Sequence, residues 1–116
     1  MNSITKLPVR SVEPITDDLP GWVKQEGSPS MSTWIEYTAP DESMIAGWWT
    51  AQPGTYHATY ASWEFIHLIE GKVIITEDGQ EPQTLMPGDA FMVDTGFTGT
   101  WEIIEPVFKH FAIKLK

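Results

Sequence analysis

Two charged residues interrupt apolar strand phases in this sequence, and chemistry would be sought there first. Over residues 107–115, Val107, Lys109, Phe111, Ile113 and Leu115 alternate with Phe108, His110, Ala112 and Lys114, so Lys109 is the only charge in the apolar set. Glu64 holds the same position in the set Glu64, Ile66, Leu68. A carboxylate held inside a protein can act as general acid or base, and a lysine becomes a nucleophile when its pKa is depressed. Glu64 and Lys109 are therefore the candidate catalytic residues. No Ser-His-Asp constellation with recognisable context and no Gly-rich phosphate loop accompanies them.

The three histidines offer less. His57 reads either as a metal ligand or as a rim residue on a strand between aromatics. His67 shares its phase with Phe65 and Ile69, on the face opposite Glu64, where a packing or interface role is expected. His110 shares its phase with Phe108, Ala112 and Lys114, which leads out to solvent. Zinc, iron or manganese sites need at least three protein ligands, and only His57 and Glu64 could serve here. No metal or other cofactor is expected. Tyr60 either offers a hydroxyl to a pocket or packs in a sheet. Trp48 and Trp49 are adjacent and so face opposite sides, one toward the core and one toward a partner surface.

The elements that position these residues are strands. Residues 1–30 contain Pro8, Pro14, Pro20, Gly21, Gly27 and Pro29 without sustained periodicity, and read as an extended arm anchored by Trp22 and Val23. The domain proper is 31–116. Thr33–Thr38 and Met44–Ala51 are β-branched and aromatic runs, closed by Pro40-Asp41 and Pro53-Gly54. Further strands are expected from Phe65 to Ile69, Lys72 to Thr76, Gln83 to Met86, Ala90 to Val93, Thr100 to Ile104 and Val107 to Leu115, with Glu105-Pro106 separating the last two. Asp78-Gly79 between two β-rich runs signals a hairpin in which both turn residues take φ > 0. Met86-Pro87-Gly88-Asp89 is another turn. Short strands with turns every eight to twelve residues predict an all-β fold, an antiparallel jelly-roll barrel.

The whole chain sets wider bounds. Its 116 residues make one domain, large enough to bury a core without staples. It contains no cysteine, hence no disulfide framework and no thiolate site. Residues 1–22 lack an apolar run, which argues against a signal peptide or membrane span. The net charge is -9, and Lys72 is the only Lys or Arg between Gln25 and Phe108. So acidic a surface repels phosphate, which excludes nucleic acid and anionic membrane as partners.

The motifs add a family. Gly47-Trp48-Trp49-Thr50-Ala51-Gln52-Pro53-Gly54, then Glu64-Phe65 with Leu68 to Gly71, Gly88-Asp89-Ala90, Gly99-Thr100-Trp101-Glu102 and Glu105 to Phe111 stand in an order and spacing that resembles the cupin superfamily. The resemblance is strongest to the small cupins grouped with the (S)-ureidoglycine aminohydrolase domain and the ethanolamine-utilisation accessory proteins. It implies a cupin barrel in which Glu64 takes the place of the metal-binding glutamate. The two histidines before that glutamate correspond to His57 and Thr59, or to Ala58 and Tyr60, and Gly99 stands where the last histidine ligand would be. Most of the family's metal ligands are therefore missing. Trp101 shares its parity with Gly99 and should point into the barrel, filling the vacated volume or flooring a pocket.

In that register Glu64 faces inward with Lys109. A charge buried alone costs several kcal/mol, so the two are expected to meet as an ion pair in place of the metal. The pocket is expected from Trp49, Tyr60, Glu64, Trp101 and Lys109. Three functions stay open: a metal-free cupin binding a small molecule inside the barrel, a hydrolase acting on a small ureide or amide with Glu64 as acid/base, and a non-catalytic accessory or structural protein. A cytoplasmic homodimer, paired through the apolar residues of its arm, is expected.

Overall fold

A computed structural model describes residues 3–115. Its strands are β1 (Trp22–Glu26), β2 (Met31–Thr38), β3 (Met44–Ala51), β4 (Gly54–Thr59), β5 (Trp63–Glu77), β6 (Gln83–Leu85), β7 (Ala90–Val93) and β8 (Thr98–Lys114). They pair antiparallel in one curled sheet organised around β8. Along one side of β8 lie β4, opposite Thr98–Ile103, and β3, opposite Val107–Lys114. Along its other side runs β5, from Trp63 opposite Lys114 to Glu77 opposite Gly99. Strand β2 flanks β3, β1 flanks β4, and β6 and β7 flank β5. This is the all-β jelly-roll barrel that the strand and turn pattern predicts.

Two expected breaks are not breaks. Phe65–Ile69 and Lys72–Thr76 belong to the single strand β5, and β8 passes straight through Glu105-Pro106. Proline has no N–H to give to a ladder, so a strand can carry it only where the pairing is locally disrupted. Three register shifts between Leu68 and Val73 provide that disruption opposite Pro106. Gly71, at φ +96°, passes so close that a Cβ there would lie 2.2 Å from the Pro106 carbonyl oxygen. The Asp78-Gly79 turn also differs from expectation. The Gln80 N–H donates to the Glu77 carbonyl at 2.9 Å, and Gly79 alone of the pair takes φ > 0. Pro82 then delays the next ladder, which begins at Gln83.

The inward phases make one aromatic-rich core, with Trp49, Tyr56, Ile66, Leu68, Val73, Trp101, Val107 and Phe111 all buried. Leu115, assigned to the inward set, is exposed because β8 ends at Lys114. The arm lies on its own barrel. The Trp48 Nε1–H donates to the Pro8 carbonyl at 2.6 Å, the Arg10 guanidinium sits 4.4 Å from the Phe108 ring centre, and Ile15 bridges to Thr33. Strand β1 has one inward residue at its start, Trp22. Val23, the other expected anchor, points the opposite way and is 64 % exposed.

Candidate functional site

Glu64 begins the inward phase of β5, ahead of Ile66 and Leu68, because Trp63, Phe65 and His67 occupy the other face. Lys109 sits in the matching phase of β8, opposite Leu68 on one side and Trp49 on the other. Glu64 is opposite Ile113, four residues further along. The long lysine stem spans that offset, and Lys109 Nζ donates to Glu64 Oε2 at 2.9 Å. The ion pair anticipated from strand phase therefore forms, with side chains only 3 % and 5 % exposed.

Aromatic rings complete the surroundings of the ammonium. Its Nζ lies 4.4 Å from the Trp49 ring centre, 4.6 Å from Trp101 and 6.0 Å from Trp22, so π faces take the place of water. Trp22 packs edge-on against Trp101 at 5.1 Å and against Tyr56 at 5.6 Å, which ties the end of the arm into the cage. Burial pushes the Lys109 pKa below its ordinary value, and the Glu64 carboxylate offsets only part of that.

Beside the pair lies a cavity of about 340 Å³, lined by Trp22, Thr33, Trp49, Tyr60, Glu64 and Lys109 among apolar neighbours. Polar groups on and behind its wall are incompletely satisfied. The Thr33 hydroxyl, the Tyr60 hydroxyl and the Trp101 Nε1–H are buried and make no hydrogen bond of good geometry to any described residue. Burial, and secondly the charge of Glu64, pushes the Tyr60 pKa well above the usual phenol value. Burial and a hydrogen bond to Asp18 at 2.7 Å raise that of Tyr56. Both groups hold their protons more tightly folded than unfolded, so they stabilise the fold below the unfolded tyrosine pKa and lose that contribution as pH rises through the folded values. In an alkaline titration followed by phenolate absorbance, Tyr56 and Tyr60 are expected to ionise late, together with unfolding. Their early ionisation in a folded protein would contradict this packing.

The structure brings Trp49, Tyr60, Glu64 and Lys109 together on the cavity wall and places Trp101 behind them, against Lys109. His57 goes elsewhere. It lies on the outer face of β4, 3.2 Å from the Asp78 carboxylate. His67 and His110 are cross-strand neighbours on the outer face, and the His110 ring stacks on Trp48 at 4.7 Å. Thr33 and Trp22 are among the wall residues that pocket assignment from sequence missed. The signal for Thr33 was its shared phase with Met31 and Ile35, whereas Trp22 was legible only as an anchor.

A divalent metal does not fit these residues. Glu64 already accepts from an ammonium, His57 faces away, and a Cβ at Gly99 would meet the Thr76 carbonyl oxygen at 2.3 Å, so no ligand side chain can be carried there. Among the described residues no group of three or more His, Cys, Asp or Glu is placed to hold one.

Comparison with known proteins agrees with this architecture. A crystal structure of a protein of unknown function from Pseudomonas syringae pv. tomato matches with a TM-score of 0.73 at 20 % identity, over 90 % of this chain and 46 % of the other. This chain thus spans less than half the length of that relative. The EutQ protein of Clostridium difficile matches with a TM-score of 0.66 at 17 % identity, over 76 % of this chain and 70 % of that one. KdgF from a Halomonas species gives 0.66 at 14 % identity, over 97 % and 95 %. At these identities the likeness is one of fold. No curated protein sequence matches significantly. No helix among the described residues is long and apolar enough to cross a membrane. The sequence profile of the EutQ-like cupin domain matches residues 38–111, well over half of the chain and including both Glu64 and Lys109, and the chain belongs to that family.

Proposed function

We propose that the barrel binds a small, neutral organic molecule without a metal, in the cavity beside the Glu64–Lys109 pair. The observation that carries this reading is the buried Thr33 hydroxyl, which no described residue satisfies, together with the Tyr60 hydroxyl beside Glu64, on the wall of a cavity whose only charges among the described residues neutralise each other. A buried polar group without a partner costs about 1–3 kcal/mol, and a ligand carbonyl or hydroxyl would recover that cost. The apolar and aromatic walls supply the remaining affinity, as ligand sites of this size generally do.

Tryptophan fluorescence tests it, because Trp22 and Trp49 form part of the wall. Benzyl alcohol and small amides are expected to quench wild-type protein saturably. Ala61→Trp, which puts a bulky ring at a residue lining the cavity, is expected to abolish the quenching. Unsaturable quenching, equal in both proteins, would refute the reading. Chelator is expected to leave the melting temperature unchanged, because a tightly bound metal would stabilise the native state by mass action and its removal would show. A fall reversed by one divalent ion would overturn the metal-free part.

A second reading, hydrolysis of a small ureide or amide with Glu64 as acid/base, is favoured by the motifs that resemble the (S)-ureidoglycine aminohydrolase-type cupins and by the place of Glu64 on the cavity wall. Ammonia release from such compounds, lost in Glu64→Gln, would establish it.

A further inference from the structure

We propose that Lys109 forms a reversible imine with a small aldehyde or ketone held in the cavity, with Glu64 as its proton carrier. The proposal rests on the cavity being a small-molecule site. It explains why an amine, rather than an apolar residue, occupies the centre of an aromatic cage.

The geometry supplies each requirement. Among the described residues Lys109 Nζ has one hydrogen-bond partner, the Glu64 carboxylate at 2.9 Å, and otherwise faces the rings of Trp49 and Trp101. Burial of this kind disfavours the ammonium and favours the free amine, the form that attacks carbonyls. Both groups line the cavity, so a bound carbonyl carbon can reach the nitrogen. The Thr33 hydroxyl, which no described residue satisfies, and the Tyr60 hydroxyl beside Glu64 can donate to the carbonyl oxygen.

The step balances without any redox partner. The Lys109 ammonium passes a proton to Glu64, and its nitrogen lone pair forms the C–N bond as the carbonyl π pair moves onto oxygen. A proton shifts from nitrogen to that oxygen, giving a carbinolamine. Glu64 then protonates the hydroxyl, which leaves as water while the nitrogen lone pair closes the C=N bond. The product iminium carries the same positive charge as the original ammonium, opposite the same carboxylate.

Benzaldehyde, followed by sodium cyanoborohydride, tests this by reducing an iminium to a stable benzylamine that peptide mapping locates. Wild-type protein at neutral pH is expected to carry the adduct on Lys109 at least about tenfold above Lys6, Lys24 or Lys72, because Lys109 alone of these lines the cavity, which holds the aldehyde against its amine. Glu64→Gln is expected to slow trapping by about a hundredfold, the lower range for loss of an acid–base group. The wild-type map stands by itself if that variant fails to fold. Saturable quenching by benzyl alcohol with Lys109 unlabelled would overturn the imine and leave the binding site standing. Labelling confined to surface lysines, with no quenching, would overturn both.

Discussion

Glu64→Gln and Lys109→Met are each expected to lower the free energy of unfolding by about 3 kcal/mol, and the double variant by far less than the sum. Each single change leaves one buried group without its partner. Glu64→Gln strands an ammonium among three tryptophans, and Lys109→Met strands a carboxylate that is only 5 % exposed. With both replaced, no desolvated charge remains, and the cage and cavity can accommodate an amide beside a thioether. Urea unfolding of the four proteins measures the coupling directly. Strict additivity would mean that the two charges are solvated separately and would dissolve the argument for a barrel organised by the pair.

Gly71→Ala is expected to cost about 4 kcal/mol, and Gly79→Ala about 1 kcal/mol. Both glycines have positive φ, +96° and +81°, so both substitutions strain the backbone. They differ in what surrounds them. Nothing lies within 4 Å of a Cβ at Gly79, whereas one at Gly71 would lie 2.2 Å from the Pro106 oxygen and 2.8 Å from the Val107 Cα. Those are backbone atoms of β8 and cannot swing aside. The difference between the two variants therefore isolates the close crossing of β5 and β8 from the conformational preference of glycine. Equal losses would show that the crossing has room to spare.

How much of this was legible in sequence depends on the range of the interaction. Period-two alternation placed Glu64 and Lys109 inside the barrel, because the inner face of a sheet tolerates only an occasional charge and a buried charge requires a partner. The same rule failed at the ends of strands. Leu115 carried the right parity but lies beyond β8, and Val23 was grouped with Trp22 although neighbours on a strand face opposite ways. Gly71 and Pro106 read as stop signals since each, alone, weakens a ladder. Only the tertiary pairing of the two, bulge against proline, lets both strands continue. The wall residues Thr33 and Trp22 come from strands that are consecutive in sequence but stand at opposite ends of the path β1-β4-β8-β3-β2; the curl of the sheet brings them to one wall, and no local pattern encodes that curl.

The position of β8 also governs the order of assembly during synthesis. Strands β3, β4 and β5 all take their central neighbour from this element, which leaves the ribosome after the other seven strands. Until then only the ladders β2–β3, β1–β4, β5–β6 and β5–β7 can form, and two of the three edges awaiting β8 belong to apolar strands open to wrong partners. Pairings so distant along the chain place the domain among the slow folders, in the range of milliseconds to seconds. Lys109 arrives with β8, so Glu64 keeps its water until the barrel closes. Closure of the sheet and neutralisation of its interior are thus a single late event.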